Sequence, residues 1–287
     1  QFVVSGGLAR AMGYSVKAVA TKPIDGQKTG TSGLRKKVVV FQQENYLHNW
    51  VQSLFSSLDG LQGSTIALGG DGRYWNREAI KIILRLAAGN GVAKVMVGQN
   101  GILCTPAMSA VIRARSLFGG IILTASHNPA GPDNDFGIKY NVSNGGPAPE
   151  SVTGKIFENT KTISSYNFAC DGDSDPFSSV DLGALGISKF ESTDGKTFEV
   201  EIIDSADDYL ALLKSMFDFP KLKAFLARPD FKFLFDAMAG VTGSYAKRFF
   251  IDELGAGEES VMRGTTLEDF GGGHPDPNLT YAAELVA

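Results

Sequence analysis

Short apolar runs alternate with longer segments of helical periodicity in the first half of the chain, and this alternation limits the possible folds more than any other feature. The runs at 64–68, 92–97 and 121–123 have the length and the β-branched content of buried strands. The segments 77–88 and 105–115 between them have the periodicity and the end signals of helices. The sequence therefore predicts a layered α/β domain, in which functional sites gather at the carboxyl ends of strands.

Further patterns of both kinds lie on either side of this region. Residues 46–58 predict a helix whose apolar stripe faces the core. We expect the remaining elements as strands at 34–41, 136–141, 198–203 and 231–236, helices at 147–160, at 206–217, from Pro220 onward and at 243–254, and glycine-rich loops at 166–192 and 267–278.

Ser126 is the candidate reactive residue. It follows the buried run 121–123 and lies beside His127. Asn128-Pro129 ends the strand, because proline has no N–H group for a ladder. A serine on a loop that a rigid scaffold holds is well placed for chemistry. A serine next to a histidine is also a common turn pair, so position alone leaves a structural role open.

Two cations are candidate partners for a phosphate on this serine. Arg35, in the glycine-rich segment 29–37, has a planar guanidinium that can grip two phosphate oxygens at once. Lys139 lies on the predicted strand 136–141, where partial burial and neighbouring cations would lower its pKa and allow it to transfer protons. A phosphoserine needs such groups, because it carries nearly two negative charges.

Two further motifs have both a functional and a structural interpretation. The glycine-rich turn 69–73 could cradle a phosphate with backbone N–H groups, but it matches neither standard nucleotide fingerprint, so we expect a structural role. Asp171, Asp173 and Asp175 alternate as the carboxylates of a hard-cation loop do, yet they lie in the predicted surface loop 166–192.

Charge and composition exclude some classes of function. The net charge is −4 with interspersed signs, whereas a nucleic-acid-binding protein would show a basic stripe. No apolar run approaches ~18 residues, so we expect no membrane span. Cys104 and Cys170 are too few for a disulfide framework and fit thiols in a reducing compartment. Residues 1–24 contain no acidic side chain, which fits an organelle transit peptide or a basic arm, and we favour an N-terminal arm over 1–21.

Six motifs in a fixed order resemble those of a known family. They are G-T-S-G-L-R-K at 30–36, G-G-D-G-R-Y at 69–74, T-A-S-H-N-P at 124–129, G-I-K-Y-N at 137–141, F-D-A-M at 235–238 and L-E-D-F-G-G-G-H-P-D-P-N-L-T-Y-A at 267–282. In these segments the chain resembles the phosphoglucomutases of the α-D-phosphohexomutase superfamily. The resemblance extends from about Lys22 to the end of the chain, and we interpret the chain as the N-terminal portion of such an enzyme.

The resemblance implies a fold and a domain division. It predicts a layered mixed-sheet domain I at 22–203 and a similar but incomplete domain II at 204–287, truncated before the family's metal loop. That D-G-D-G-D-R magnesium loop follows the H-P-D-P segment in the family, so the acidic run at 171–175 is on the wrong side of it and we expect that run to be solvated. The sugar-selecting loop and the fourth domain of the family are also missing from the 287 residues. Ala130 stands where close relatives often have glycine.

The resemblance also implies roles for the candidate residues. Ser126 would be the phosphorylated catalytic residue, Lys139 the general acid and base, and His127 an assisting group. Arg35 would bind substrate together with Ser126 and Lys139. The phosphate on Ser126 would be one ligand of Mg²⁺, and the remaining ligands would lie beyond Ala287.

The implied activity is the interconversion of glucose 1-phosphate and glucose 6-phosphate through a phosphoserine and glucose 1,6-bisphosphate. We expect a hexose phosphate substrate, no nucleic-acid partner, no membrane span and a monomer at full length. We also expect a cytoplasmic location, with the plastid as an alternative, and negligible activity of these 287 residues alone. Two other functions remain open. One is a parafusin-like phosphoprotein that acts as a binding module in exocytosis, and the other is a mutase for mannose or N-acetylglucosamine phosphate.

Overall fold

The computed structural model describes residues 13–30 and 32–286. Its strands are β1 (Gly13–Ala20), β2 (Leu34–Lys37), β3 (Thr65–Gly70), β4 (Lys94–Ile102), β5 (Gly119–Leu123), β6 (Asp135–Val142), β7 (Ser165–Cys170), β8 (Gly186–Ser192), β9 (Thr197–Ile203), β10 (Phe235–Asp236) and β11 (Val261–Met262). Its helices are α1 (Val38–Phe41), α2 (Tyr46–Phe55), α3 (Asn76–Gly89), α4 (Thr105–Ala114), α5 (Glu150–Thr162), α6 (Asp207–Met216), α7 (Phe219–Leu226), α8 (Thr242–Ala246) and α9 (Ala283–Val286), with a π-helix at Lys247–Glu253 and 3-10 turns at Glu258–Ser260 and Phe270–Gly272. Across the described residues, none of these helices is both long and apolar enough to cross a bilayer.

Within the described residues, nine strands form one mixed sheet in the order β2-β6-β5-β3-β4-β9-β8-β1-β7. The central strands β5, β3, β4 and β9 are parallel. β6 pairs antiparallel with β5, and β2 pairs antiparallel with β6 at the edge of the sheet. The carboxyl ends of β3 and β5 therefore lie side by side, so the loops that begin at Asp71 and Thr124 are neighbours. This sheet with its helices confirms the predicted layered α/β fold.

Helices cover both faces of the parallel centre. Trp50 of α2 belongs to the hydrophobic cluster that also buries Ile121 and Leu123 of β5. Met108 of α4 belongs to a second cluster that buries Ile122. Alternate residues of β5 thus enter opposite cores, as the two-residue period of a strand requires. A strand that is buried on both faces has a continuous apolar sequence, which explains the short run that precedes Ser126.

The region after β9 packs against the large sheet through α4. The backbone N–H of Cys104, at the start of α4, donates to the hydroxyl of Tyr245 in α8 at 3.0 Å. β10 and β11 form a separate two-stranded parallel sheet. A second link is the hydrogen bond from the Tyr74 N–H to the carbonyl of Glu268 at 2.7 Å. Cys104 and Cys170 are both free thiols, as predicted.

Three strands of the sheet lie where the sequence predicted none. The predicted arm at 1–21 is wrong for 13–20, because β1 pairs antiparallel with β7 and parallel with β8. Residues 1–12 of that predicted arm lie outside the described residues. The predicted surface loop at 166–192 is wrong at both ends, which form β7 and β8. The acidic run between these two strands is largely exposed, as expected.

Other element boundaries also differ from the predictions. The strand predicted at 34–41 ends at Lys37, because its partner strand β6 begins opposite at Asp135 and offers no further pairing. The chain then turns into α1, and the N–H of Val38 donates to the carbonyl of Asn134 at 2.8 Å. In the region after β9, residues 204–286, here called the second region, the strand predicted at 231–236 is reduced to β10. The helix predicted at 243–254 continues after α8 as a π-helix.

Candidate active site

Ser126 lies on an exposed loop directly after β5. Its backbone is left-handed, with φ at 59°. Residues other than glycine, asparagine and aspartate rarely adopt this conformation, which costs on the order of 1–2 kcal/mol and persists only where the surroundings enforce it. The loop is anchored to the neighbouring strand β6, because the N–H of Thr124 donates to the carbonyl of Gly137 at 2.9 Å. The reactive serine predicted from sequence is therefore held in an uncommon conformation.

A buried ion pair between Asp71 and Arg73 contacts this loop. The side chain of Arg73 is 0% exposed and that of Asp71 is 8% exposed. Arg73 Nε donates to both carboxylate oxygens at 3.0 Å, and its Nη2 donates to the carbonyl of Ser126 at 3.0 Å. The hydroxyl of Thr124 donates to Asp71 Oδ2 at 2.5 Å and accepts the N–H of Ser126 at 2.9 Å. The glycine-rich turn thus has the expected structural role, and it acts directly on Ser126.

Arg73 also connects the loop to two other parts of the chain. Its Nη1 donates to the carbonyl of Asp135 on β6 at 2.6 Å. From the second region, the ring of Phe270 lies 5.3 Å from the guanidinium, a cation–π distance. Sequence reasoning did not single out Arg73 or Thr124. The available signal was an arginine directly after a buried strand, where only a partnered charge can be accommodated.

Lys139 and Arg35 lie on the two strands beyond β5. Lys139 is opposite Ile122, and Arg35 is opposite Gly137. This register places Arg35 and Lys139 on one face of the sheet, the face to which Ile122 points. Burial lowers the pKa of Lys139 from its usual value, and the positive charge of Arg35 lowers that pKa further, while the Asp71 carboxylate opposes the shift. Such an amine is easier to deprotonate than an exposed lysine, as proton transfer requires.

One nitrogen of the Arg35 guanidinium is buried without a partner in the described part of the chain, and the segment before Arg35 packs tightly. Arg35 Nε is buried and has no hydrogen-bond partner among the described residues. The segment before it packs closely on β6 at Gly33, whose φ is +96°. A Cβ atom on residue 33 would be 2.5 Å from the carbonyl oxygen of Ile138 and 2.8 Å from the Cβ of Lys139. Any side chain at this position would therefore displace the strand that carries Lys139.

A cavity of about 730 Å³ opens beside Ser126, between the large sheet and the second region. Ser126, His127 and Asp71 line it, together with β10, the loop that follows β10 and residues 275–277. Lys139 lines a separate, smaller recess. The structure thus brings Ser126 and His127 together at the cavity and brings Arg35 and Lys139 together on adjacent strands. Asp71 affects both pairs. It is linked to Ser126 by hydrogen bonds through Thr124, and its negative charge opposes the lowering of the Lys139 pKa.

The described residues do not fit a complete magnesium site. Within 13–30 and 32–286, no three His, Cys, Asp or Glu side chains are grouped so that they could hold a metal ion. Asp71, the carboxylate beside Ser126, is already bonded by Arg73 and Thr124. The role of Ser126 in holding Mg²⁺ stays a prediction, and the described residues add no such three-residue cluster to it.

Comparison with known proteins identifies relatives across nearly the whole chain. Residues 26–167 match the family model described as phosphoglucomutase/phosphomannomutase, alpha/beta/alpha domain I. The chain is 56% identical over 284 residues to the probable phosphoglucomutase, cytoplasmic 1, of Arabidopsis thaliana, a match that covers 96% of this chain and 48% of the relative. It is 55% identical over 281 residues to the chloroplastic phosphoglucomutase of Solanum tuberosum, with coverage of 97% and 43%.

A solved structure supports the same relationship. The open form of the exocytosis-sensitive phosphoprotein pp63/parafusin (phosphoglucomutase) from Paramecium superposes with a TM-score of 0.91 at 47% identity, over 95% of this chain and 49% of that chain. The chain spans about half the length of the curated relatives that it matches. With these motifs, this fold and these relatives, the chain belongs to the phosphoglucomutase/phosphomannomutase family.

Proposed function

We propose that this chain carries the phosphoryl-transfer serine of a phosphoglucomutase, with glucose phosphates as substrates. The observation that carries the proposal is the setting of Ser126. It is an exposed serine in an enforced left-handed conformation at the carboxyl end of a parallel sheet, with Lys139 and Arg35 on the adjacent strands. The names and identities of the plant relatives supply the reaction class.

The proposed exchange has two transfers. First, the phosphoryl group leaves Ser126 Oγ for the free C6 hydroxyl of glucose 1-phosphate, so a P–O bond to the serine breaks and one to the sugar forms. The resulting glucose 1,6-bisphosphate turns over, and the phosphoryl group on C1 returns to the serine, which leaves glucose 6-phosphate. Each transfer moves a proton from the attacking hydroxyl to the departing oxygen, so no other reactant is consumed.

The described side chains supply the groups that this exchange needs. Lys139, with its lowered pKa, takes up and returns the proton. Arg35 holds phosphate oxygens with a guanidinium whose Nε is not otherwise bonded among the described residues. His127, which lines the cavity next to Ser126, assists as a donor to the phosphate. Positioning and charge stabilisation of this kind supply most of the catalysis in phosphoryl transfer.

Mg²⁺ is part of the proposal only as a charge partner of the serine phosphate. It would neutralise phosphate charge during transfer, but the described residues do not form its site, and each step above is assigned to this chain's own side chains. We likewise propose domain I up to residue 203, with its start moved to Gly13 by the pairing of β1, and domain II from 204 onward.

Location and sugar specificity are further parts of the proposal. Because the relatives include cytoplasmic and chloroplastic enzymes, we propose the cytoplasm, with the plastid as the alternative. Glucose is favoured over mannose or N-acetylglucosamine because the two plant relatives described above are named phosphoglucomutases. We also propose a monomer at full length. A parafusin-like role in exocytosis is a second candidate, which the likeness to the Paramecium phosphoprotein favours.

Mapping of the phosphate tests this proposal. A full-length protein containing this chain is incubated with glucose 1,6-bisphosphate, and the phosphorylated residue is located by mass spectrometry. We expect label on Ser126, no label in Ser126→Ala, and normal label in Ser188→Ala, a control on β8. Turnover of glucose 1-phosphate is measured in parallel. Label on another serine, or undiminished turnover in Ser126→Ala, would refute the assignment. Label without turnover would favour the phosphoprotein role.

A further inference from the structure

The peptide groups on both sides of Ser126 are tied to one buried ion pair. On the amide side, the N–H of Ser126 donates to Thr124 Oγ1 at 2.9 Å, and that hydroxyl donates to Asp71 Oδ2 at 2.5 Å. A hydroxyl has one proton, so its donation to the carboxylate leaves its lone pairs directed to the N–H of the serine. The orientation of the serine amide is therefore set by Asp71 through Thr124.

The carbonyl side is fixed by the other member of the pair. Arg73 Nη2 donates to the carbonyl of Ser126 at 3.0 Å, while Arg73 Nε holds the Asp71 carboxylate. Arg73 Nη1 is itself fixed by the carbonyl of Asp135 on β6 at 2.6 Å. Because a planar guanidinium holds its donors in a rigid fork, these bonds define where the serine carbonyl must lie. Phe270, from the second region, lies over the guanidinium.

From these contacts we infer that Asp71, Thr124 and Arg73 are positioning residues for phosphoryl transfer, and that they hold Ser126 in the left-handed conformation from which Oγ reacts. The inference rests on the proposed function, because it assigns the purpose of the conformation to the transfer step. None of the three needs to contact the moving phosphoryl group. Their effect passes through the backbone of Ser126, so their loss lowers the rate of transfer more than the affinity for sugar phosphate.

Thr124 permits the sharpest test, because valine has the same shape without the hydroxyl and serine keeps the hydroxyl without the methyl group. In the full-length protein, Thr124→Val should lower kcat about tenfold or more with KM within about twofold, since misplacement by 1 Å can cost ~100-fold in rate. Thr124→Ser should keep kcat within about threefold of the parent. The rate at which glucose 1,6-bisphosphate loads phosphate on Ser126 should fall in the valine variant by the same factor as kcat.

Controls separate positioning from general packing. Thr160→Val removes another buried threonine hydroxyl, in α5, and should leave kcat and phosphate loading unchanged. Thermal unfolding of every variant shows whether the protein is folded at the assay temperature. Thr124→Ala also lacks the hydroxyl and is less bulky than valine, so it provides the same test if valine prevents folding.

The outcomes are distinct. A kcat for Thr124→Val and Thr124→Ala within twofold of the parent would overturn the inference, and so would equal losses in the serine and valine variants. If Ser126→Ala keeps full turnover, the proposed function itself fails. If Ser126→Ala is inactive while Thr124→Val is normal, the proposed function stands and only the positioning role is rejected.

Discussion

Replacement of Arg73 by methionine should destabilise the protein strongly, because it removes one member of a buried ion pair. The change leaves the Asp71 carboxylate without its cation and leaves the carbonyls of Ser126 and Asp135 without a donor. Removal of one partner of a buried pair costs about 3–5 kcal/mol, mainly because a charge remains in a poorly solvated site. We therefore expect a loss of stability in this range.

A double-mutant cycle measures this coupling. Urea unfolding is followed by tryptophan fluorescence for Arg73→Met, Asp71→Asn and the double variant. Asp71→Asn removes the carboxylate charge that Arg73→Met leaves unpaired. The double variant should therefore lose less free energy of unfolding than the two single variants together, by at least about 1 kcal/mol. Arg228→Met, which breaks the exposed pair with Asp230, is the matched control and should leave the unfolding midpoint nearly unchanged. An Arg73→Met loss below about 1 kcal/mol, or strictly additive effects, would show that the ion pair does not support the serine loop.

Three other measurements follow from the site and the core. Lys139→Met in the full-length protein should lower kcat by ~10²–10⁴-fold without loss of folding, since it removes the proposed proton-transfer group; unchanged turnover in a coupled assay would exclude that role. Burial lowers the pKa of Lys139 most and the charge of Arg35 lowers it further, so Arg35→Met should raise that pKa and move the limb of the pH–rate profile that Lys139 controls to higher pH. His48 should destabilise the protein in acid, because burial and then the charge of Arg85 lower its pKa from 6.5 to about 4. Its contribution is complete above pH 6.5, where both states are neutral, and up to about 3 kcal/mol is lost as the pH falls to 4. His48→Phe should flatten this part of the stability profile, and an unaltered profile would contradict the assignment.

Sequence patterns predicted the strands and helices whose structure is determined by their own apolar side chains. β3 and β5 are apolar runs that are largely buried on both faces, and β4 begins with an apolar run at 95–97, so length and apolar content were sufficient to predict them. α3 and α4 have an apolar face and clear end signals. The loop position of Ser126 was predicted for the same reason, because a buried strand that ends before Asn128-Pro129 must place the intervening residues on a loop.

The strands that the sequence did not predict form because neighbouring strands pair with them. β1 leaves Val16 and most of its other residues partly or fully exposed, and it exists as a strand because β7 and β8 flank it. β8 is mostly exposed and is ordered by its pairing with β9. Single-sequence patterns carry no information on such partners. The hydrogen bonds that hold the Ser126 loop were not predicted for a related reason. Asp71 and Thr124 are 53 residues apart, and no local sequence pattern connects them.

The position of β1 has a consequence for the order of folding. The first described strand fills the gap between β7 and β8, so Ser15 pairs with Cys170 and Tyr14 pairs with Ser192. The parallel centre can form earlier, but this side of the sheet cannot close until a ribosome has released the chain as far as β8. Contacts over such long sequence separations slow folding, because the closure entropy must be lost before the pairing stabilises the chain. Until then the outer strands present unpaired edges, and during synthesis those edges are where another nascent chain could pair.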